Sequence, residues 1–203
     1  APKGIEVSNN NSANLTINGP GTLTIDNCSG NKSGIGAEIV GTIVINSGTI
    51  NANGGYGAAG IGGDYHNTSG GIITINGGVV NAWGGYWSAG IGGGTGRQAS
   101  GDAMNYGDCG TININGGQVS AYGGTKGPGI GPGFAWRRSN DGILNLQWTD
   151  PEDFVYCTGY VTGADPVITL EIINFVKSYI LEGTATVATS SNIGGQRIVP
   201  KEL

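Results

Sequence analysis

Apolar and polar residues alternate along this chain in short bursts bounded by glycine. Gly41-Thr-Ile-Val-Ile-Asn46, Gly71-Ile-Ile-Thr-Ile-Asn76 and Gly110-Thr-Ile-Asn-Ile-Asn115 share one pattern, with aliphatic side chains at the third and fifth positions. A period of two is the mark of a strand with one buried face. A second burst follows each of these, offering Ile50/Ala52, Val80/Ala82 and Val119/Ala121. A third apolar position lies in a Gly-Ile-Gly that begins nineteen residues after the first glycine, at Ile61, Ile91 and Ile130. Degenerate copies flank these three. Gly21-Thr-Leu-Thr-Ile-Asp26 with Ile35 precedes them, and Gly142-Ile-Leu-Asn-Leu-Gln147 follows.

The starts are 20, 30, 39 and 32 residues apart. A constant unit with unequal tails is what loops inserted at one corner of a coil produce. Three inward stretches separated by glycine corners make one rung of a right-handed parallel β-helix. Stacked rungs rise about 4.8 Å each, and their apolar columns become continuous stacks. A β-trefoil or β-prism is the competing threefold architecture. Helices are excluded, because glycine at this density costs about 1 kcal/mol at each interior helical position. The expectation is one all-β domain over residues 1–203. Its repeats fall at about 21–40, 41–70, 71–109, 110–141 and 142–164. Residues 165–203 form a C-terminal β cap, with strands at 167–173 and 184–188 covering the open edge. Residues 15–18 form a shortened strand at the first edge.

The sixth position of each unit gives Asp26, Asn46, Asn76, Asn115 and Gln147, expected as a ladder of side chains bonded along the coil axis. Composition narrows the chemistry further. Glycine supplies 42 of 203 residues, and the formal charge is -5. Neither nucleic acid nor an anionic membrane is the expected partner, since both reward clustered Lys and Arg. Arg137 and Arg138 are the only paired basic residues. Cys28, Cys109 and Cys157 permit one disulfide, with no CxxC motif among them. The Asn/Thr/Gly-rich composition reads as a secreted or cell-surface module of a longer exported protein.

Several motifs invite chemistry and fail it. Gly90-Ile-Gly92-Gly-Gly94 is a corner and not a nucleotide loop, because its Ile recurs as core and no helix follows. Calcium is the one ion to weigh, at Asp64 with Asp102 and Asp108. Asp64 has no acidic counterpart in the next two units, so these are read as solvated loop acids, with no cofactor or metal site. His66 is read as an ordinary loop histidine. Asp141, Asp150, Glu152 and Asp153 near Arg137 and Arg138 raise the possibility of a lyase or hydrolase. Three of the four acids flank Pro151 in one short stretch, a solvated turn, and the chain is read as non-enzymatic.

Aromatic residues are the more informative set. In the second strand the residues beside the inward positions must point outward. Trp83 and Tyr122 take the same outward position on adjacent rungs, with Asn81 and Gln118 on the same face. Tyr56, Tyr86 and Trp87 follow at the next corner, and Trp136 on the loop after the third unit. Such rings offer flat apolar faces to a pyranose, while the amides bond its hydroxyls. The structural counterpart is satellite packing of rings over the corners. These eight residues are the candidate ligand contacts.

Gly71-Ile-Ile-Thr-Ile-Asn-Gly-Gly-Val-Val-Asn-Ala82, followed by Ala89-Gly-Ile-Gly-Gly93, resembles repeats of secreted and surface proteins of gut and rumen bacteria. It is also similar to parallel β-helix carbohydrate-binding modules attached to plant cell-wall hydrolases. The resemblance implies a non-catalytic module that delivers an appended glycoside hydrolase domain or a cell to polysaccharide, with xylan as first choice. A stalk or adhesin module is the alternative.

Overall fold

In the computed structural model the residues described are 4–7, 13–26, 28, 30–37, 41–66, 69–96, 107–134, 142–147, 150, 152–159, 179–182 and 194–200. They build a right-handed parallel β-helix from three sheets. Sheet I contains β1 (Ile5–Val7), β4 (Ile35–Ala37), β7 (Ile61–Gly62), β10 (Ile91–Gly92) and β13 (Ile130–Gly131). Sheet II contains β2 (Asn14–Ile17), β5 (Thr42–Ile45), β8 (Ile72–Ile75), β11 (Thr111–Ile114) and β14 (Ile143–Leu146). Sheet III contains β3 (Thr22–Ile25), β6 (Thr49–Asn53), β9 (Val79–Trp83), β12 (Gln118–Tyr122) and β15 (Phe154–Gly159). All pairings among these fifteen strands are parallel. A trefoil or prism is thereby excluded.

The core is the set of columns the alternation predicts. Ile43, Ile73 and Ile112 are fully buried in register in sheet II, as are Ile45, Ile75 and Ile114. Val80 and Val119 sit above Ile50 in sheet III, and Ile35, Ile61, Ile91 and Ile130 line sheet I. Each buried Ile contributes roughly 1.5–3 kcal/mol, and only a neighbouring rung can bury it. Sheet I is reduced to Gly-Ile-Gly because its backbones come very close. A Cβ on Gly92 (φ +128°) would fall on the carbonyl of Gly131.

The first rung differs from expectation. Leu15 and Ile17 pair with Ile43 and Ile45 in sheet II, whereas Leu23 and Ile25 pair with Ile50 and Ala52 in sheet III. The unit starting at Gly21 is therefore the second strand of its rung, and the rung begins at β2. Its Gly-Thr-Leu-Thr-Ile motif suits either sheet, since both demand the same period-two pattern. Only the pairing partner distinguishes them.

The amide ladder shifts accordingly. Asn46 donates to Asn18 (2.7 Å), Asn76 to Asn46 (2.7 Å) and Asn115 to Asn76 (2.8 Å). Asp26 belongs elsewhere, accepting from Asn53 Nδ2 at 2.6 Å. At the far end β17 (Gly194–Pro200) pairs antiparallel with β15, and β16 (Tyr179–Glu182) with β17. The strands expected at 167–173 and 184–188 lie outside the described residues.

Candidate functional site

The outer face of sheet III and the turn that leaves it carry the aromatic residues. Trp83 and Tyr122 are register partners, half-buried, with ring centroids 5.3 Å apart and planes 7° from parallel. Two rings that close cannot lie side by side in one plane. They stack with an offset, so each gives one face to the other and turns its edge to solvent. This differs from the expected platform of two outward faces. A third ring, Tyr156 of β15, lies 5.8 Å from Tyr122 at 59°, turned out of the stack. Sequence reasoning missed Tyr156 because its rung lacks the glycine-bounded motif. The alternation Phe154-Val155-Tyr156-Cys157, with Val155 inward, was the available signal, and the structure pairs Tyr156 with outward Ser120.

On the same face Asn81 donates to Asn51 at 2.9 Å, and Asn51 to Thr24 at 3.3 Å. Asn81 is thus part of a second ladder. Gln118 is half-buried between its register partners Val79 and Phe154.

The turn from sheet III to sheet I repeats at 54–58, 84–88 and 123–127. Tyr56 and Tyr86 stack at 5.5 Å and 13°, and Tyr56 is 54% exposed. The next position on these turns is left-handed in all three: Gly57 (φ 72°), Trp87 (φ 67°) and Lys126 (φ 69°). The chain leaving sheet I folds back over this turn. Thr95 N donates to the Gly57 carbonyl, Phe134 N to the Trp87 carbonyl, and the Thr95 hydroxyl to the Tyr86 carbonyl. Trp87 is consequently half-buried, with Phe134 at 5.1 Å, Tyr86 at 4.6 Å and the Lys126 ammonium 5.7 Å from its ring centroid. Tyr56 is the exposed ring of this corner. Tyr65 meets Tyr56 edge-on at 5.9 Å, and His66 (φ 78°) lies against Tyr65. Trp136 lies outside the described residues. Of the eight sequence-predicted residues, the structure groups Trp83, Tyr122, Asn81 and Gln118 on sheet III, and Tyr56, Tyr86 and Trp87 at the adjoining turn.

The acids read as solvated are only partly so. Asp64 is 6% exposed: it accepts from Ser33 N (2.6 Å), Ser33 Oγ (2.7 Å) and Lys32 Nζ (2.6 Å). Lys32 also pairs with Glu6 at 2.8 Å, joining three rungs by one chain of charges. Asp64 takes the slot that Gly94 and Gly133 hold in later rungs, and its partners come from the irregular first rung. No periodicity announces that. Asp153 is 5% exposed and accepts from Gly117 N and Asp150 N at 2.7 and 2.8 Å, while Asp150 and Glu152 are exposed. These carboxylates hold backbone in place. No group of three metal-ligating side chains occurs among the described residues.

All three cysteines are free thiols, with Cys28 and Cys109 buried. Loss of hydration pushes the Cys157 thiol up to about 12 and, with the nearby Asp64 charge, raises that of Cys28. Both are protonated and unreactive at neutral pH.

A family model described as a beta helix repeat matches residues 43–65, 73–95 and 112–134. Each match spans one rung, from its sheet II strand to the segment folded over the aromatic turn. Fold and match together define a parallel β-helix repeat protein. No curated protein and no solved structure matches the chain.

Proposed function

We propose that this β-helix is a non-catalytic polysaccharide-binding module of a secreted or cell-surface protein, with a linear plant glycan such as xylan running along its aromatic flank. One observation carries this reading: rings recur on consecutive rungs, Tyr122 above Trp83 and Tyr86 above Tyr56, at centroid spacings of 5.3 and 5.5 Å. Those spacings follow the rung repeat and are comparable to one sugar unit. The exposed surface of Tyr56, the turned ring of Tyr156 and the ring edges of the Trp83–Tyr122 stack supply apolar contacts. Gln118 and Ser120 supply hydrogen bonds to hydroxyls. Affinity electrophoresis against xylan, mannan, glucan and pectin tests it. The expected result is retardation on at least one glycan, weakened in Tyr56→Ala and Tyr122→Ala. Free migration on all four would sink it.

The stacking geometry also favours a second role, that of a rigid spacer. Ring faces and amides that satisfy one another along the axis stiffen the coil without any ligand. A spacer predicts no glycan retention, and lower thermal stability in Trp83→Ala as the sole consequence.

A further inference from the structure

The non-glycine residues with left-handed backbone among the described residues are His66, Trp87 and Lys126, and all three belong to the turn from sheet III to sheet I or the segment folded over it. A left-handed conformation costs an L-residue roughly 1–2 kcal/mol. The equivalent slot in the rung below is filled by Gly57, which adopts it freely. Strain kept where glycine would serve points to side chains that have a task.

The chemistry of those side chains narrows the task. Lys126 is the only charged residue on the three turns 54–58, 84–88 and 123–127. Its ammonium sits over the Trp87 ring, and Trp87 is itself wedged against Phe134 and Tyr86. A lysine so held has lost part of its rotamer freedom before any ligand arrives, which lowers the cost of using it. It makes no ion pair among the described residues. Beside it stands the Tyr56–Tyr86 stack. The protein as a whole is acidic, with a formal charge of -5, so long-range attraction does not favour an anion. Local complementarity at this corner does.

We propose that this corner is an acidic-sugar subsite: Lys126, held over Trp87 beside the Tyr56–Tyr86 stack, pairs with the carboxylate of a uronate-bearing polysaccharide whose pyranose rings lie against the tyrosines. The inference rests on the polysaccharide-binding reading and assigns that ligand its charge.

The test compares neutral and acidic members of matched pairs, xylan with glucuronoxylan and fully methyl-esterified with de-esterified homogalacturonan, by affinity electrophoresis of the full chain. The acidic member of at least one pair should bind roughly two- to five-fold more tightly, as one exposed ion pair allows. The preference should shrink when salt rises from about 0.05 to about 0.5 M. Lys126→Gln should erase the preference and Lys126→Arg should keep it. Equal affinity for both members, or a preference that survives in Lys126→Gln, overturns the subsite and leaves the module reading standing. Binding to no member of either pair overturns the subsite, and the module reading then stands or falls on mannan and glucan.

Discussion

Two corners of the same coil meet one geometric demand in opposite ways. At the turn from sheet II to sheet III the left-handed slot holds Gly48, Gly78 and Gly117. The amides beside it, Asn46, Asn76 and Asn115, bond one another along the axis. At the turn from sheet III to sheet I the slot holds Gly57, Trp87 and Lys126, beneath a network of rings. The first corner is uniform, unstrained and closed upon itself. The second varies from rung to rung, carries strain, and sets exposed Tyr56 and charged Lys126 on the surface. Both slots take a positive φ, but the first, at 90–98°, leaves no room for a Cβ against the rung below, whereas the second, at 67–72°, admits Trp87 and Lys126, and there the side chains make the difference. One corner builds the coil, and the other gives it a surface chemistry.

The contrast can be broken most forcefully at the uniform corner. Gly117→Ala would place a Cβ 2.7 Å from the Gly78 carbonyl oxygen at φ +95°. The clash and the left-handed strain together should cost about 3 kcal/mol. That corresponds to a melting temperature lower by roughly 6–12 °C, readable by circular dichroism. An unchanged melt would mean that rungs can slide apart there.

Asp64→Asn comes next. It removes the charge that joins Lys32 and Ser33 inside the first rungs and should cost about 2 kcal/mol. Its pH dependence is distinctive. Partial burial by itself would lower the Lys32 pKa, but hydrogen bonds and charge from Asp64 and Glu6 outweigh that and raise it. A raised lysine pKa gives stability that is fully present below the ordinary lysine value and lost as pH climbs through the folded one. The native protein should therefore weaken only in strongly alkaline solution, and Asp64→Asn should show a flatter alkaline limb in melts taken across that range.

Asn76→Ala interrupts the amide ladder at its centre and should cost about 1 kcal/mol, since both bonds are exposed to water. The smallest expected effect sharpens the comparison best. Lys126→Gly exchanges left-handed strain for a weak cation–π contact, and stability should rise by about 0.5 kcal/mol or stay level. Clear destabilisation in a melt would show that Lys126 is there for packing, and the second corner would then be as structural as the first.

Much of this was legible in the order of residues. Ile at the third and fifth places of each unit and within each Gly-Ile-Gly announced three buried columns, and all three exist. The outward register of Trp83 with Tyr122 was equally plain, because a strand has only two faces. Elsewhere the same simplicity misled. Gly21-Thr-Leu-Thr-Ile-Asp26 carries a pattern that serves sheet II and sheet III alike, and nothing local says which neighbour it meets. Asp64 and Asp153 look like loop acids because their partners, Ser33 and Gly117, are 31 and 36 residues away. Tyr156 escaped notice for want of a glycine frame.

By itself, then, the sequence determined the repeat, the inward columns and the outward side of each strand, since period-two alternation and glycine punctuation are local properties that each rung states again. Only the tertiary structure decided how rings on adjacent rungs face each other, which acids are buried, and that Trp87 and Lys126 share one strained corner. Those outcomes depend on contacts between residues far apart in the chain, in loops whose lengths differ from one rung to the next, and no repeating pattern encodes them.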